Sequence, residues 1–574
     1  MKSRRIPPLL LVVGLLGGWP CLVTAQGTAP YRPVTDQRLG NPGTPDWLLY
    51  RRTYDGWGFH PADLIKTTNV KQLVPLWSFS TGELGGHEAP PLVNAGVMFI
   101  TTPGNQVIAL DAFTGDLRWR YRRELPADLR PGHRTNRGVG LYEDKVYLAT
   151  LDAHLVALDA ATGRVVWDTT VDDYTQGASL TLAPLVAKGK VMVGMAGGEY
   201  GLRGYIAAFD AHTGHEVWKT HAIPGPGEPG HDTWAGESWR TGGASVEITG
   251  QYDPFHNLAY WGTGSPIPWP AEAHPGDNLY ASSVLVLDVD TGALRAHFQS
   301  QWNDAWGWGA GSPPLLVDVP RDGRTIHALV HPARNGYLYV LERAADAIRF
   351  IDAKPFVTQN VFAGLDPRTG HPSYDPARQL RDVQMVSFCP SHWGGTPGPP
   401  PAYNPHTGYL YLPANANLCS TVTGQPTPPA PGQPFLGIDR TTARLRQAEG
   451  ATHIGELQAW DVRTMQKAWT QTFPSPLWGG TLTTAGGLVF MGGTPDRYFR
   501  AFDAKTGELL WAFRANSAVT GVPISYGRIG VQYIAVQAGW GAEAAQMQAE
   551  LEAGSGATTD VPHGGVVWVF GLRE

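Results

Sequence analysis

The sequence predicts an all-β protein, an eight-bladed propeller whose repeats dock through tryptophan. Two observations lead there: one phrase recurs along the chain, and its copies fall at blade-length intervals. The phrase is ALDAFTGDLRW from Ala109, ALDAATGRVVW from Ala157, AFDAHTGHEVW from Ala208 and AFDAKTGELLW from Ala501, with worn copies VLDVDTGALRA from Val286 and AWDVRTMQKAW from Ala459. Within a copy, alternating residues such as Val156, Leu158 and Ala160 have the two-residue period of a strand. Thr-Gly marks a tight turn, with glycine free to take positive φ. The preceding Asp can hydrogen-bond the turn backbone, and the closing Trp can pack on a neighbouring unit.

The six Asp positions, 111, 159, 210, 288, 461 and 503, are 48, 51, 78, 173 and 42 residues apart. Units of roughly 40–50 residues with strand signals read as propeller blades. NGYLYVLERAADAIRF from Asn335 fills part of the longest gap as a degenerate unit, and Val74 to Phe79 supplies an earlier strand with Trp77. Six repeats and these two make eight. The final strand, Val566 to Phe570, is positioned to close the ring beside the early strands, removing exposed edges. A β-solenoid is the architectural alternative, but its repeats are shorter. The stretches around Pro224 to Trp239, Cys389 to Cys419 and Gln425 to Pro434 read as loops on one domain, residues 26–574.

The chain has 574 residues, 42% hydrophobic and 16% charged, with net charge −6. No basic stripe follows the N-terminus, which argues against nucleic acid as a partner. Lys2, Arg4 and Arg5, the apolar run Leu9 to Leu16 and the small residues before Gln26 read as a signal peptide, residues 1–25. The run is short for a bilayer span, a retained anchor being the alternative, and no later segment reads as transmembrane. The expected location is periplasmic or secreted. Cys389 and Cys419 then remain, either paired or as two buried thiols. The absence of CxxCH argues against covalent haem.

Longer phrases narrow the function. GMAGGEYGLRGYIAAFDAHTG from Gly194, YDPFHNLAYWGTGSPIPW from Tyr252, PGDNLYASSVLVLDVDTG from Pro275, YNPHTGYLYLPANANLC from Tyr403 and WGGTLTTAGGLVFMGG from Trp478 together resemble the pyrroloquinoline-quinone (PQQ) alcohol dehydrogenases. The resemblance runs from about Trp47 to the C-terminus and implies an eight-bladed propeller that oxidises a small-molecule alcohol. It implies PQQ and Ca²⁺ as cofactors and an electron acceptor such as a cytochrome c. In the family the metal polarises the quinone and an Asp takes the alcohol proton. By resemblance, Glu88, Arg137, Thr181, Gly197, Gly198, Arg334 and Trp478 fall on PQQ contacts, Glu199 on a metal ligand, and Cys389 with Cys419 on a disulfide.

The departures from the family pattern are equally specific. Ser265 stands in place of a metal-ligand Asn. Gly307 stands where the catalytic Asp belongs, and Gly309 where lanthanide-using members carry a second Asp. Pro131-Gly132 replaces a vicinal Cys pair, Glu247 a stacking Trp, Pro397 an Asn and Gly398 a Trp. Asp304 and Glu247 are the candidate replacements for the lost base or ligand. Two readings follow: a PQQ dehydrogenase with an altered site, or a propeller of the same descent that has lost catalysis and binds a ligand or protein. A third, a general assembly scaffold, fits the repeats but not the site phrases.

Overall fold

The computed structural model describes residues 31–573 except 322, 427, 429, 431, 556 and 557. The expected signal peptide lies outside the described residues, and no described helix is long and apolar enough to cross a membrane. Among the described residues, eight sheets with four antiparallel strands each, one of them extended by the parallel strand Phe59–His60, succeed one another as a β-propeller. Seven occupy residues 92–122, 139–170, 185–221, 251–299, 315–355, 402–473 and 481–514, and the eighth combines 524–538 with Val566–Leu572 and Leu73–Ser80. In that last sheet Trp77 faces Val569 and Phe79 faces Val567, so the N-terminal strand pairs with the C-terminal one as the sequence suggests.

The repeated phrase builds the same device in successive sheets. Asp159 Oδ1 accepts from Thr162 N at 2.8 Å and Thr162 Oγ1 at 2.7 Å. Asp210 and Asp288 bond Thr213 and Thr291 in the same way. The Trp of one sheet then lies on the turn of the next. Trp119 Nε1 donates to Ala160 O, Trp167 to Ala211 O, Trp218 to Val289 O and Trp469 to Ala504 O. Burying the indole while satisfying its N–H ties adjacent sheets together.

The stretch Cys389 to Cys419, expected to be a loop, instead contains Ala402–Asn404 and Tyr409–Ala414, the first two strands of the sixth sheet, because their apolar residues pair with each other and, through Tyr409–Ala414, with Gly455–Asp461 to complete it. The segment between the fifth and sixth sheets forms a hairpin, Phe362–Leu365 with Pro372–Tyr374. Leu418–Thr423 pairs with Met385–Phe388 on one side and Arg444–Gln447 on the other in a three-stranded sheet. Cys389 and Cys419 are disulfide-bonded beside that sheet. A helix, Ala542–Ser555, precedes the last strand.

Antiparallel order fixes what shares an end. The Asp-Thr-Gly turns join third to fourth strands. Loops that enter a first strand, and loops that join second to third strands, therefore gather at the opposite end.

Candidate active site

A cavity of about 410 Å³ is built from those opposite-end loops, a volume typical of small-ligand sites. Arg137, Gly198, Glu199, Ser265, Arg334 and Trp478 all line it. Residues from five sheets are thus brought to one place.

Glu88 and Thr181 lie against Arg137. Its Nη1 donates to Thr181 Oγ1 at 3.0 Å, and its Nε lies 3.3 Å from Glu88 Oε2. Trp478 Nε1 donates to Glu88 Oε1 at 3.3 Å. Burial and the nearby Glu543 carboxylate push the Glu88 pKa up to about 7, against the pull of Arg137. Gly197 does not line the cavity. Its φ is +114°, and a Cβ there would lie 2.3 Å from Gly177 O, so it shapes the turn that presents Gly198 and Glu199. Arg334 donates from Nη2 to His392 O at 3.3 Å, while its buried Nε has no hydrogen-bond partner. Burial lowers its pKa, and the charges of Glu247 and Asp304 oppose that shift.

Asp304, a candidate replacement for the lost base, is not among the cavity-lining residues. It is fully buried, accepting from Ser282 Oγ at 2.9 Å and from Trp306 N at 3.0 Å. Burial raises its pKa. These contacts make it an anchor for the loop that carries Gly307, not a group facing substrate. Gly307 has φ +77°, and a Cβ added to it would meet the Trp269 ring at 2.5 Å. At Gly309 a Cβ would lie 2.4 Å from the Gly264 backbone. The space in which two carboxylates are expected by resemblance is filled by the Trp269 indole and the 264–265 backbone.

Other acids enter the cavity, several of which sequence reasoning missed. Helix Ala542–Ser555 turns Glu543, Gln546 and Glu550 toward it, positions three to four residues apart on one face. Glu550 Oε2 accepts from Trp393 Nε1 at 2.8 Å and lies 3.2 Å from His392 Nε2. Glu543 Oε1 lies 2.5 Å from His133 Nδ1. The other ring nitrogen of His133 is 3.8 Å from Glu199 Oε1 and 3.9 Å from Glu247 Oε2. Burial works against protonation of His133, yet Glu247, Glu543 and Glu199 outweigh it and hold its pKa up at about 10. The run AEAAQMQAELEA contained a signal for the helix, since Ala, Glu, Gln and Met are strong helix formers. Nothing local to His133 or Trp269 announces its role.

The domain described as "PQQ: Glucose/ethanol/alcohol dehydrogenase, beta-propeller domain" matches residues 47–347 and 451–534. The quinoprotein alcohol dehydrogenase PedH of Pseudomonas putida is 37% identical, over 96% of this chain and 95% of its own. The chain belongs to the PQQ dehydrogenase family. A europium-containing methanol dehydrogenase superposes with a TM-score of 0.88 at 31% identity, covering 94% of this chain and all of that one. The quinohemoprotein alcohol dehydrogenase of Comamonas testosteroni gives 0.82 at 33% identity, over 94% and 82% of the two chains.

The cavity's residues fit the family's quinone but not its metal. PQQ is a flat polycarboxylate, and the cavity offers it the Trp478 indole, the unpartnered Arg334 Nε and the backbone at Gly198. Arg suits such planar oxygen groups. A calcium ion takes about 6–8 oxygen ligands. Of the two metal-ligand positions the resemblance implies, Glu199 keeps its carboxylate and Ser265 replaces an Asn, while Gly307, at the catalytic Asp position, adds no oxygen beside them.

Proposed function

We propose that the protein is an exported quinoprotein dehydrogenase that oxidises an alcohol or related small substrate. The observation that carries this reading is convergence: residues 137, 198, 199, 334 and 478, far apart in sequence, line one cavity. Bound PQQ supplies a two-electron acceptor, and a partner such as a cytochrome c would then receive the electrons. Arg334 orients the quinone oxygens through its free Nε. Glu88 and Thr181 hold Arg137, and Trp478 forms an aromatic wall. Position 307 offers no proton acceptor. Glu543 is committed to His133, and Glu550 to His392 and Trp393. Glu199 and Glu247 therefore remain as carboxylates able to take a proton or bind a cation.

Titration of the purified protein with PQQ, followed by absorbance, tests this reading. The expected result is stoichiometric binding, weakened about 10–100-fold by Arg334→Ala, the loss of a charged hydrogen-bonding group. Failure of the wild-type protein to bind PQQ would sink it. The packing of Trp269 on Gly307 favours a second reading, a quinone-binding propeller without alcohol oxidation. That reading gains if PQQ binds and primary alcohols are not turned over. Export is tested by the mature N-terminus, expected at Gln26.

A further inference from the structure

We propose that His133, Glu199 and Glu247 form a divalent transition-metal site, displaced from the family's metal position and suited to Zn²⁺ or an ion of similar preference such as Co²⁺. One donor atom from each residue lies within 4.8 Å of the others. A zinc-sized ion with bonds of about 2.0–2.2 Å holds its donors roughly 3–3.5 Å apart. Side-chain adjustments of about 1 Å close the triad on that geometry.

Three further observations point to a ligand. His133 Nδ1 is engaged by Glu543 Oε1, which leaves Nε2 facing the two carboxylates. A carboxylate behind the imidazole is the arrangement that orients a metal-binding histidine. Gly132 makes the approach possible: a Cβ there would lie 1.7 Å from Glu199 Oε1, so any other residue beside His133 would push that carboxylate away. Three carboxylates, those of Glu199, Glu247 and Glu543, face the single imidazole of His133, an excess of negative charge that a dication would offset.

The three side chains keep 30%, 14% and 25% of their surface exposed. An ion held by them therefore has coordination positions open to the cavity, as in catalytic sites with three protein ligands. Imidazole with two carboxylates suits Zn²⁺, Co²⁺ or Mn²⁺, whereas Ca²⁺ prefers an all-oxygen shell. Ser265 and Gly307 take no part.

The test uses quinone-free, chelator-stripped protein, so failure of PQQ binding cannot obscure the result. Co²⁺ is titrated in while its visible d–d absorption is followed, and bound Zn²⁺ is counted by elemental mass spectrometry. One ion per chain is expected, not displaced by excess Ca²⁺. Glu247→Gln and His133→Ala should each lower Co²⁺ affinity at least about 100-fold, and Glu543→Gln about 10–100-fold. Ser265→Ala should leave affinity unchanged. Circular dichroism checks folding, and should His133→Ala not fold, Glu247→Gln alone decides. Substoichiometric Co²⁺, unchanged affinity in Glu247→Gln, or preference for Ca²⁺ would overturn the site.

Discussion

A glycine beneath a tryptophan occurs at both ends of the sheets, but only one end is written in the sequence. At the turn end, Gly115, Gly163, Gly214, Gly292 and Gly507 have φ between +72° and +80°. A Cβ on any of them would lie within 2.5–2.7 Å of Trp77, Trp119, Trp167, Trp218 or Trp469 respectively. At the cavity end, Gly307 has φ +77° and Trp269 lies 2.5 Å from where its Cβ would be. The physical device is the same: absence of a Cβ lets the chain take a left-handed conformation and an indole lie flat on the backbone. At the turn end the device is structural and repeated. At the cavity end, among the described residues, the left-handed glycine under an indole is Gly307 alone, and it fills the place where chemistry is expected.

The largest expected effect separates the two ends by cutting the cavity end's covalent tie. Cys389→Ser should lower unfolding free energy by about 3–4 kcal/mol on the loop-entropy account, measured by urea denaturation. A loss below 1 kcal/mol would show that the three-stranded sheet holds without it.

The next concerns His331, on the strand leading to Arg334, whose ring nitrogens are buried without partners. Burial pushes its pKa down to about 4, below an unfolded value of about 6.5. Between those values the unfolded chain binds more protons, so this group's share of stability is lost as pH falls through the window. The loss reaches roughly 3 kcal/mol below pH 4. His331→Leu should flatten the dependence of the urea midpoint on pH in that window. Equal slopes in variant and wild type would refute the assignment.

A smaller effect tests the Gly307–Trp269 contact directly. Gly307→Asp should destabilise by roughly 2–3 kcal/mol, from left-handed strain and overpacking together. Combining it with Trp269→Gly should recover part of that loss, read as a coupling energy in a double-mutant cycle. Additive effects would mean that the two residues do not compete for space. For the same reason, Gly307→Asp with Ser265→Asn alone should not rebuild the family's catalytic site.

The smallest pair sharpens the turn end. Gly163→Ala should cost about 2 kcal/mol, since strain and Trp119 both oppose it. Gly189→Ala, also at positive φ but with open space around it, should cost only about 1 kcal/mol. Equal thermal shifts in the two variants would remove the tryptophan from the account.

What the sequence determined by itself lies within short windows. The Asp-x-x-Thr-Gly turn closes over three residues, and strand alternation needs only neighbours, so the repeats and the Trp docking are legible. Closure by Leu73–Ser80 is legible because the final strand has no other unit to join. Even so, the turn signal overreaches: Asp366 makes the same bonds to Thr369 within a two-stranded hairpin that is not a propeller sheet. The family phrases led to Arg137, Glu199, Arg334 and Trp478, and these four line the cavity. Tertiary structure alone decided what meets what in the cavity. Glu543 is 410 residues from His133, Trp269 comes from a different loop than Gly307, and Asp304 turns inward to Ser282. Such contacts depend on how separate loops fill a shared volume, and close packing couples every side chain there to its neighbours. No local periodicity encodes that filling, which is why the sequence showed which family residues were missing but not what had taken their place.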